Sequence, residues 1–230
     1  MYRIKKELNR INNFNSMKRL ASILLVLSLT VAAFAQDSPQ SRAILDKTHS
    51  GYMLSNGIKL SFTSSVGEAG ANQFDSQKGE AFIKGNKFRL EMDEMNIWFD
   101  GTTQWVLLKD VDEVNISNPT ESELASVSPL ALLGIYREGY SLKAPVSKTV
   151  NGKNVNFIDM TPVAANSDIK AISVAVDKTN NRLVQVIMTM SNDILTKIDI
   201  TDYNDNFKFN DSEFIFNKNN HPGVEIVDLR

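Results

Sequence analysis

The sequence contains no cysteine and only two histidines, His49 and His221, in 230 residues. Without cysteine the chain can form neither a disulfide bond nor a zinc site built from cysteine and histidine. A Ser-His-Asp triad would need one of the two histidines, and no Gly-x-Ser-x-Gly segment presents a nucleophilic serine. Gly-x-Gly-x-x-Gly and P-loop segments are absent too. We therefore expect a protein that is not an enzyme and that uses no metal and no cofactor.

Long apolar runs are equally scarce, and the longest, residues 20–34, follows the basic pair Lys18-Arg19 near the N-terminus. This run is shorter than the roughly 20 apolar residues that a membrane-spanning helix needs. It ends in Ala33-Phe34-Ala35, the small-x-small pattern of a signal peptidase site. We predict that residues 1–35 are a leader and signal peptide cleaved between Ala35 and Gln36, with Met17 as a second candidate start. Residues 36–230 would then form one exported domain.

The mature chain also lacks an excess of positive charge. Residues 1–35 contain six of the 25 Lys and Arg but one of the 27 Asp and Glu, so their removal leaves a net charge of about −7. Nucleic acids and anionic membrane surfaces select basic proteins, so we expect neither as a partner. The 42% apolar content is sufficient for a hydrophobic core without disulfide bonds.

Short alternating segments fill most of the sequence. In residues 87–92 Phe88, Leu90 and Met92 point to one face and charged side chains to the other, as in a half-buried strand. The pair Asp100-Gly101 then predicts a hairpin turn. About eleven such strands follow one another, at the spacing expected of a barrel or a sandwich.

We predict three further strands in the second half of the chain. In residues 182–190 the alternation places Val184, Val186, Met188 and Met190 on one face. The segments 207–211 and 213–216 are predicted as two short aromatic strands.

Two segments show helical rather than alternating patterns. Residues 38–49 have Pro39 at the first helical position, and Gly51 is the expected end of this helix. In residues 120–136 Thr120 and Glu123 match a capping box before a dense apolar run. We expect this second helical segment to lie against the open apolar face of the sheet.

Four motifs in this order resemble those of the LolA-like family, the periplasmic outer-membrane lipoprotein carrier proteins. They are G-x-x-x-x-K-G-N-K-F-R-L-E-M at 79–92, I-W-F-D-G-T-T-Q-W at 97–105, S-P-L-A-L-L at 128–133 and F-x-F-x-x-x-x-H-P-G-V-E-I-V-D-L-R at 214–230. The resemblance implies a mainly β fold, a half-open antiparallel β-barrel with helices that cover an apolar cavity. It also implies a monomeric periplasmic chaperone that shelters the acyl chains of lipoproteins between the inner and outer membranes. An inner-membrane lipoprotein-releasing transporter and an outer-membrane acceptor would be its further partners.

The apolar side chains of the sheet and of the covering segment are the candidate lining of that cavity. Methionine suits such a lining because its flexible side chain adapts to acyl chains of irregular shape. The candidate residues are Leu60, Phe62, Phe88, Leu90, Met92, Trp98, Trp105, Leu130, Leu133, Phe157, Val186, Met188 and Met190. Family members carry an Arg-Pro pair linked to lid closure after the strand equivalent to 81–84. Here Lys84-Gly85-Asn86 follows that strand, so Lys84 is the candidate latch.

Two alternatives remain open on the same scaffold. The cavity would equally suit another lipid or amphiphile, and a dry, filled barrel would suit a structural envelope protein whose sheet edges pair with a partner. The identity of the bound lipid separates the first alternative from a lipoprotein carrier. Stable co-purification with a protein would support the second.

Overall fold

The computed structural model describes residues 37–120, 123–124 and 136–230, which form one long helix and thirteen strands. Helix α1 spans Pro39–Met53. The strands are β1 Ile58–Glu68, β2 Asp75–Lys84, β3 Lys87–Met92, β4 Met95–Phe99, β5 Gln104–Leu108, β6 Glu113–Ser117, β7 Tyr140–Leu142, β8 Val146–Val150, β9 Lys153–Pro162, β10 Ile169–Asp177, β11 Leu183–Met190, β12 Ile194–Asn204 and β13 Glu225–Asp228. The signal-peptide prediction lies outside the described residues.

All thirteen strands belong to one sheet in the order β13-β6-β5-β4-β3-β2-β1-β12-β11-β10-β9-β7, and β8 pairs with β9 beside β7. Neighbouring strands are antiparallel except for β13, which runs parallel to β6. The order has two ends, β13 and β7, so the sheet is open rather than closed on itself. The mainly β, half-open antiparallel architecture is therefore confirmed, with two strands more than the eleven expected.

Side-chain alternation divides the sheet into two unequal faces. We call inner the face that shares a continuous cluster of buried apolar side chains with α1, and outer the opposite face. In β3 Phe88 and Leu90 lie in the inner cluster, as the alternation predicts. Two smaller clusters lie on the outer face, one around Trp98 and one around Val155. The inner cluster contains Leu45, Tyr52, Ile58, Leu60, Phe62, Ala81, Ile83, Phe88, Leu90, Ile97, Phe99, Leu124, Tyr136, Leu142, Ile158, Met160, Ile169, Ile172, Val174, Val176, Leu183, Val186, Met188 and Ile200.

The prediction that Val184 shares a face with Val186 is wrong. Ala175 of β10 pairs with Gln185, whereas the next residue, Val176, pairs with Leu183. This irregularity places one extra residue in β11, which reverses the facing of the side chains before it. Leu183 therefore joins the inner cluster and Val184 the outer cluster around Val155.

Helix α1 begins where the sequence predicts and ends later than expected. Ser38 is the N-cap, because its hydroxyl accepts a hydrogen bond from the amide of Ser41, and Pro39 follows it. The helix continues through Gly51 to Met53, and this extra turn brings the buried Tyr52 onto the inner face. In the ranges that the structure describes, no helix combines the length and apolarity needed to span a membrane.

The two short aromatic strands predicted at 207–211 and 213–216 are absent. The only regular structure there is a 3-10 turn, Asp211–Phe214, which starts where Glu213 accepts a hydrogen bond from the amide of Asn210 (2.8 Å). We call residues 205–224 the C-terminal segment. Its phenylalanines pack instead of pairing: Phe207 and Phe209 stack at 5.5 Å, and the ring of Phe209 meets Phe82 at 5.8 Å on the outer face.

Candidate functional site: the inner face of the sheet

Eight of the thirteen predicted lining residues lie together on the inner face. Six belong to the buried inner cluster, and Met92 and Met190 are half-buried at its boundary. Neighbouring strands contribute them in register, since Phe62 pairs with Gly79 and Gly79 pairs with Met92. The eight residues are Leu60, Phe62, Phe88, Leu90, Met92, Val186, Met188 and Met190.

Three predicted lining residues lie on the outer face. Trp98 pairs with Arg89 and Trp105, so it is out of phase with the inner residues Phe88 and Leu90. Its ring packs at 5.5 Å against Phe216 of the C-terminal segment. Phe157 joins the outer cluster around Val155, with the Nζ atom of Lys148 3.5 Å from the centre of its ring. Leu130 and Leu133 lie outside the described residues.

Sequence reasoning missed several inner-face residues that alternation could have found. Ile97 and Phe99 flank Trp98, pair with Leu90 and Phe88, and are buried in the inner cluster. Successive side chains of a strand point to opposite faces. The position of a residue in this alternation therefore predicts which residues line the inner face better than the size of a tryptophan side chain does.

Helix α1 and the described ends of the 120–136 segment both contact the inner face. Leu45 and Tyr52 of α1 are buried in the inner cluster. Leu124 and Tyr136, which flank residues 125–135, are buried in the same cluster. The predicted capping box is confirmed, since the Oε2 atom of Glu123 accepts hydrogen bonds from the amide (2.7 Å) and the hydroxyl (2.8 Å) of Thr120. The amide hydrogen bond, followed by the hydroxyl, lowers the pKa of Glu123.

Polar contacts of Tyr136 and the next residue, Arg137, connect the C-terminal end of the 120–136 segment to α1. The hydroxyl of Tyr136 donates a hydrogen bond to the carboxylate of Asp46. Arg137 lies within 3.7 Å of Asp46 and within 3.2 Å of the Nδ1 atom of His49. The guanidinium of Arg42 in α1 donates to the carbonyl of Arg137 (3.2 Å). Burial of its ring, followed by the bond to Asp46, raises the pKa of Tyr136, whereas burial and then the charge of Arg137 lower that of His49.

Replacing Tyr136 by phenylalanine should loosen this attachment without removing the ring from the inner cluster. A hydrogen bond to a charged group contributes roughly 1.5–3 kcal/mol, and Asp46 is half exposed, so we expect a loss of about 1.5 kcal/mol. That loss corresponds to about tenfold faster amide hydrogen exchange in residues 120–136 if those residues open locally. Exchange followed by mass spectrometry measures it.

The matched control is Tyr140→Phe. Tyr140 is half-buried against the same inner cluster, but its hydroxyl makes no hydrogen bond within the described part of the chain. Equal exchange rates in the two variants would show that Asp46 does not hold the end of the segment.

One end of the inner face has an apolar rim that is not fully buried. Met92, Met95, Met190 and Ile198 are half-buried and pack against the cluster, whereas the α1 end of the same face contains the fully buried Ile58 and Leu183. We call these four residues the rim. An apolar edge of this kind can receive hydrocarbon from solution without exposing the rest of the core.

Comparisons with known proteins agree with this arrangement. Residues 31–191, well over half of the chain, match the family model described as outer membrane lipoprotein carrier protein LolA. This chain belongs to the LolA family. It is 28% identical over 193 residues to an outer-membrane lipoprotein carrier protein of Shewanella frigidimarina, with 81% of this chain and 85% of that protein covered.

A solved structure shows the same fold as this LolA family member. A crystal structure of an uncharacterized conserved protein from Thermus thermophilus matches it with a TM-score of 0.54 at 9% identity, over 82% of this chain and 98% of that one. A LolA superfamily protein from Nitrosomonas europaea matches with a TM-score of 0.44 at 12% identity, over 78% and 99% of the two chains.

Lys84, the candidate latch of this LolA family member, contacts the C-terminal segment. Its Nζ atom donates to the carbonyl of Phe209 (2.8 Å) and to the carboxylate of Asp211 (2.8 Å). Lys87 binds the other oxygen of the same carboxylate (2.8 Å). The hydrogen bonds from Lys84 and then Lys87 lower the pKa of Asp211 to about 2. Lys84 therefore holds the C-terminal segment against the hairpin of β2 and β3.

Replacing Asp211 by asparagine should remove a pH-dependent part of this attachment. The pKa of Asp211 falls from 3.8 to about 2 on folding, so its ion pairs stabilise the protein fully above the higher value and are lost as pH falls through the lower one. We expect the variant to be less stable than wild type at neutral pH, with a difference that vanishes as the pH approaches about 2. Urea unfolding at several pH values measures this.

Asp202→Asn is the control, because Asp202 is exposed and forms no ion pair with any described residue. A stability difference for Asp211→Asn that does not change with pH would contradict the ion-pair interpretation.

Proposed function

We propose that this protein is a periplasmic chaperone that binds the acyl chains of lipoproteins at the inner face of its sheet. The observation that carries the proposal is the continuous apolar inner face with a half-buried methionine-containing rim, in a chain of the LolA family. The names of that family and of the Shewanella relative, both lipoprotein carriers, support the choice of cargo.

The need for such a protein follows from the hydrophobic effect. Each CH₂ group of an acyl chain contributes about 0.8 kcal/mol when it leaves water, so a lipoprotein anchor with dozens of such groups does not cross an aqueous compartment unaided. A carrier must cover that surface and still release it. The flexible side chains of Met92, Met95 and Met190 at the rim fit this requirement, because they adapt to different chain positions.

The Tyr136–Asp46 hydrogen bond suits a cover that opens and closes. It holds one end of the 120–136 segment to α1, and its acceptor Asp46 and the neighbouring Arg137 are about half exposed, so opening breaks no fully buried ion pair. We propose that residues 120–136 cover the bound acyl chains, and that Leu130 and Leu133 take part in this covering.

The remaining partners follow from the same proposal. An inner-membrane lipoprotein-releasing transporter would load the carrier, and an outer-membrane acceptor would unload it. The signal peptide predicted at residues 1–35 would export the chain to the periplasm. We propose no catalytic role for His49, whose structural partner is Arg137, or for His221, whose ring stacks at 5.1 Å on Phe216.

The test is capture of a lipoprotein in the absence of detergent. The purified protein is mixed in one sample with a triacylated lipoprotein and in a second sample with the same lipoprotein produced without its acyl chains. Native mass spectrometry measures the complexes in both. We expect a one-to-one complex with the acylated form only. Failure to capture the acylated form would contradict the carrier function.

The second candidate is binding of another lipid or amphiphile by the same inner face. It is favoured by the rim itself, which shows apolar character without selecting a particular head group. Extraction and identification of lipids that co-purify with the protein from the periplasm separates the two candidates.

A further inference from the structure

Two polar side chains interrupt the apolar inner face at its rim. Ser64 of β1 and Gln77 of β2 are directly paired, one inner-face row beyond the pair Phe62 and Gly79. On its other side Ser64 pairs with Ile198, a rim residue. Both polar side chains therefore lie on the inner face, where the buried cluster gives way to the rim.

Within the described residues, one polar atom of this pair is buried without a partner. The Oε1 atom of Gln77 is buried and has no hydrogen-bond partner. Ser64 is 8% exposed, and its hydroxyl makes no hydrogen bond to any residue that the structure describes. Buried polar atoms in folded proteins are nearly always paired, so each exception requires an explanation.

The adjacent pair on the outer face shows the usual arrangement. Ser65 and Ser76 are neighbours of Ser64 and Gln77 on the same two strands, and their hydroxyls bond each other at 2.8 Å. The same two strands thus pair their hydroxyls on the outer face, whereas on the inner face the Gln77 oxygen is left without a partner and the Ser64 hydroxyl forms no hydrogen bond with a described residue. These inner-face groups lie beside the apolar rim.

We propose that Ser64 and Gln77 bind the linkage between the acyl chains and the glyceryl-cysteine head of a lipoprotein anchor. This inference rests on the proposed carrier function and adds a polar subsite to it. Acyl chains that pass the rim into the inner cluster leave their ester carbonyls at the row of Ser64 and Gln77. A serine hydroxyl and a glutamine amide can donate to those carbonyls, and the glutamine oxygen can accept from the amide N–H of the modified cysteine.

The geometry also sets the depth of binding. A hydrocarbon chain alone can slide along an apolar surface, because the hydrophobic effect has no direction. Hydrogen bonds to the ester groups fix where the chains begin, so a diacylglyceryl anchor would be held at one position and a plain hydrocarbon would not. The subsite therefore selects ester-linked lipids over ether-linked lipids of the same chain length.

The test compares two synthetic lipopeptides with identical sixteen-carbon chains. One carries the chains as esters on the glyceryl-cysteine and the other as ethers, which lack the carbonyl oxygens. We expect the wild-type protein to bind the ester form about tenfold more tightly, the difference expected when one or two hydrogen bonds are lost. In Ser64→Ala/Gln77→Leu that preference should disappear, while affinity for the ether form stays unchanged.

The control variant is Ser61→Ala, because Ser61 lies on β1 and pairs with Glu80 on the outer face. It should keep the ester preference. The double variant removes the unsatisfied Gln77 oxygen and a serine hydroxyl that bonds no described residue, so its melting temperature should equal or exceed that of wild type. A lower melting temperature would assign the pair a structural role and overturn the subsite.

The remaining outcomes separate the subsite from the carrier function. Equal affinity of the wild-type protein for the two lipopeptides, or an ester preference that survives in the double variant, overturns the subsite alone. Failure of the wild-type protein to bind either lipopeptide overturns the carrier function and the subsite with it.

Discussion

The Met190→Glu variant should bind acylated lipoprotein at least about 30-fold more weakly than wild type while it remains folded. Met190 is half-buried at the rim and ends β11, so a carboxylate at this position stays hydrated when no cargo is bound. A bound acyl chain would remove that water. Burying a polar group without a partner costs about 2 kcal/mol or more, which corresponds to the 30-fold loss.

Thr189→Glu is the matched control for Met190→Glu. Thr189 precedes Met190 on β11, is also half-buried, and points to the outer face. Both variants add one negative charge to the same strand, so a general electrostatic effect would lower the affinity of both variants for acylated lipoprotein equally. Binding to an acylated peptide with a fluorescent label measures both affinities, and urea unfolding reports stability. If both variants keep wild-type affinity, the rim is not the entrance for cargo.

The Phe214→Ala variant should show the largest loss of stability. Phe214 is fully buried, and its ring meets that of Phe209 at 5.9 Å in the C-terminal segment. Replacing a buried phenylalanine by alanine costs about 3–5 kcal/mol, a large share of the 5–15 kcal/mol by which domains are stable. The midpoint of urea unfolding should fall accordingly.

Ile215→Ala provides the comparison for Phe214→Ala at the next position. Ile215 is 44% exposed, so its truncation should cost less than about 1 kcal/mol. Limited proteolysis shows whether Phe214→Ala destabilises only the C-terminal segment or the whole domain. Cleavage confined to residues 205–224 would indicate that the segment detaches from an intact sheet, whereas cleavage throughout would indicate global unfolding. A Phe214→Ala protein as stable as Ile215→Ala would contradict the packing described for the segment.

Local patterns in the sequence predict much of the fold because they act over a few residues. Alternation correctly places Phe88 and Leu90 on one face, Ser38 correctly marks the start of α1, and Thr120 forms the predicted capping box with Glu123. These signals depend on strand pleating and on hydrogen bonds within one helical turn, so a single sequence contains them.

The errors arise where tertiary contacts decide the outcome. Val184 changes face because of an irregularity in the pairing of β10 with β11, which no pattern within β11 reveals. Phe207 and Phe209 alternate as in a strand, but their rings stack on each other beside Phe82. Asp211, in the short 3-10 turn after them, forms ion pairs with Lys84 of β2 and Lys87 of β3, and no local pattern reveals these contacts.

The candidate site was predictable only in part for the same reason. Trp98 and Trp105 are apolar enough to line a cavity, yet the C-terminal segment covers them on the outer face through Phe216. The pairing of Ser64 with Gln77 across two strands depends on the register of the hairpin. Residues 64–77 are mostly polar and contain two glycines, a composition typical of a loop, yet β1 continues to Glu68 and β2 begins at Asp75.

The central position of β1 affects the time at which this protein can fold. Lys59 of β1 pairs with Phe82 in the next strand and with Asn204 in β12, so the two halves of the sheet join only when nearly the whole chain is present. Contacts between residues so distant in sequence form slowly, because a long loop must close first. We therefore expect a nascent chain to stay extended until its last third has been synthesised, a state suited to threading through a narrow export channel.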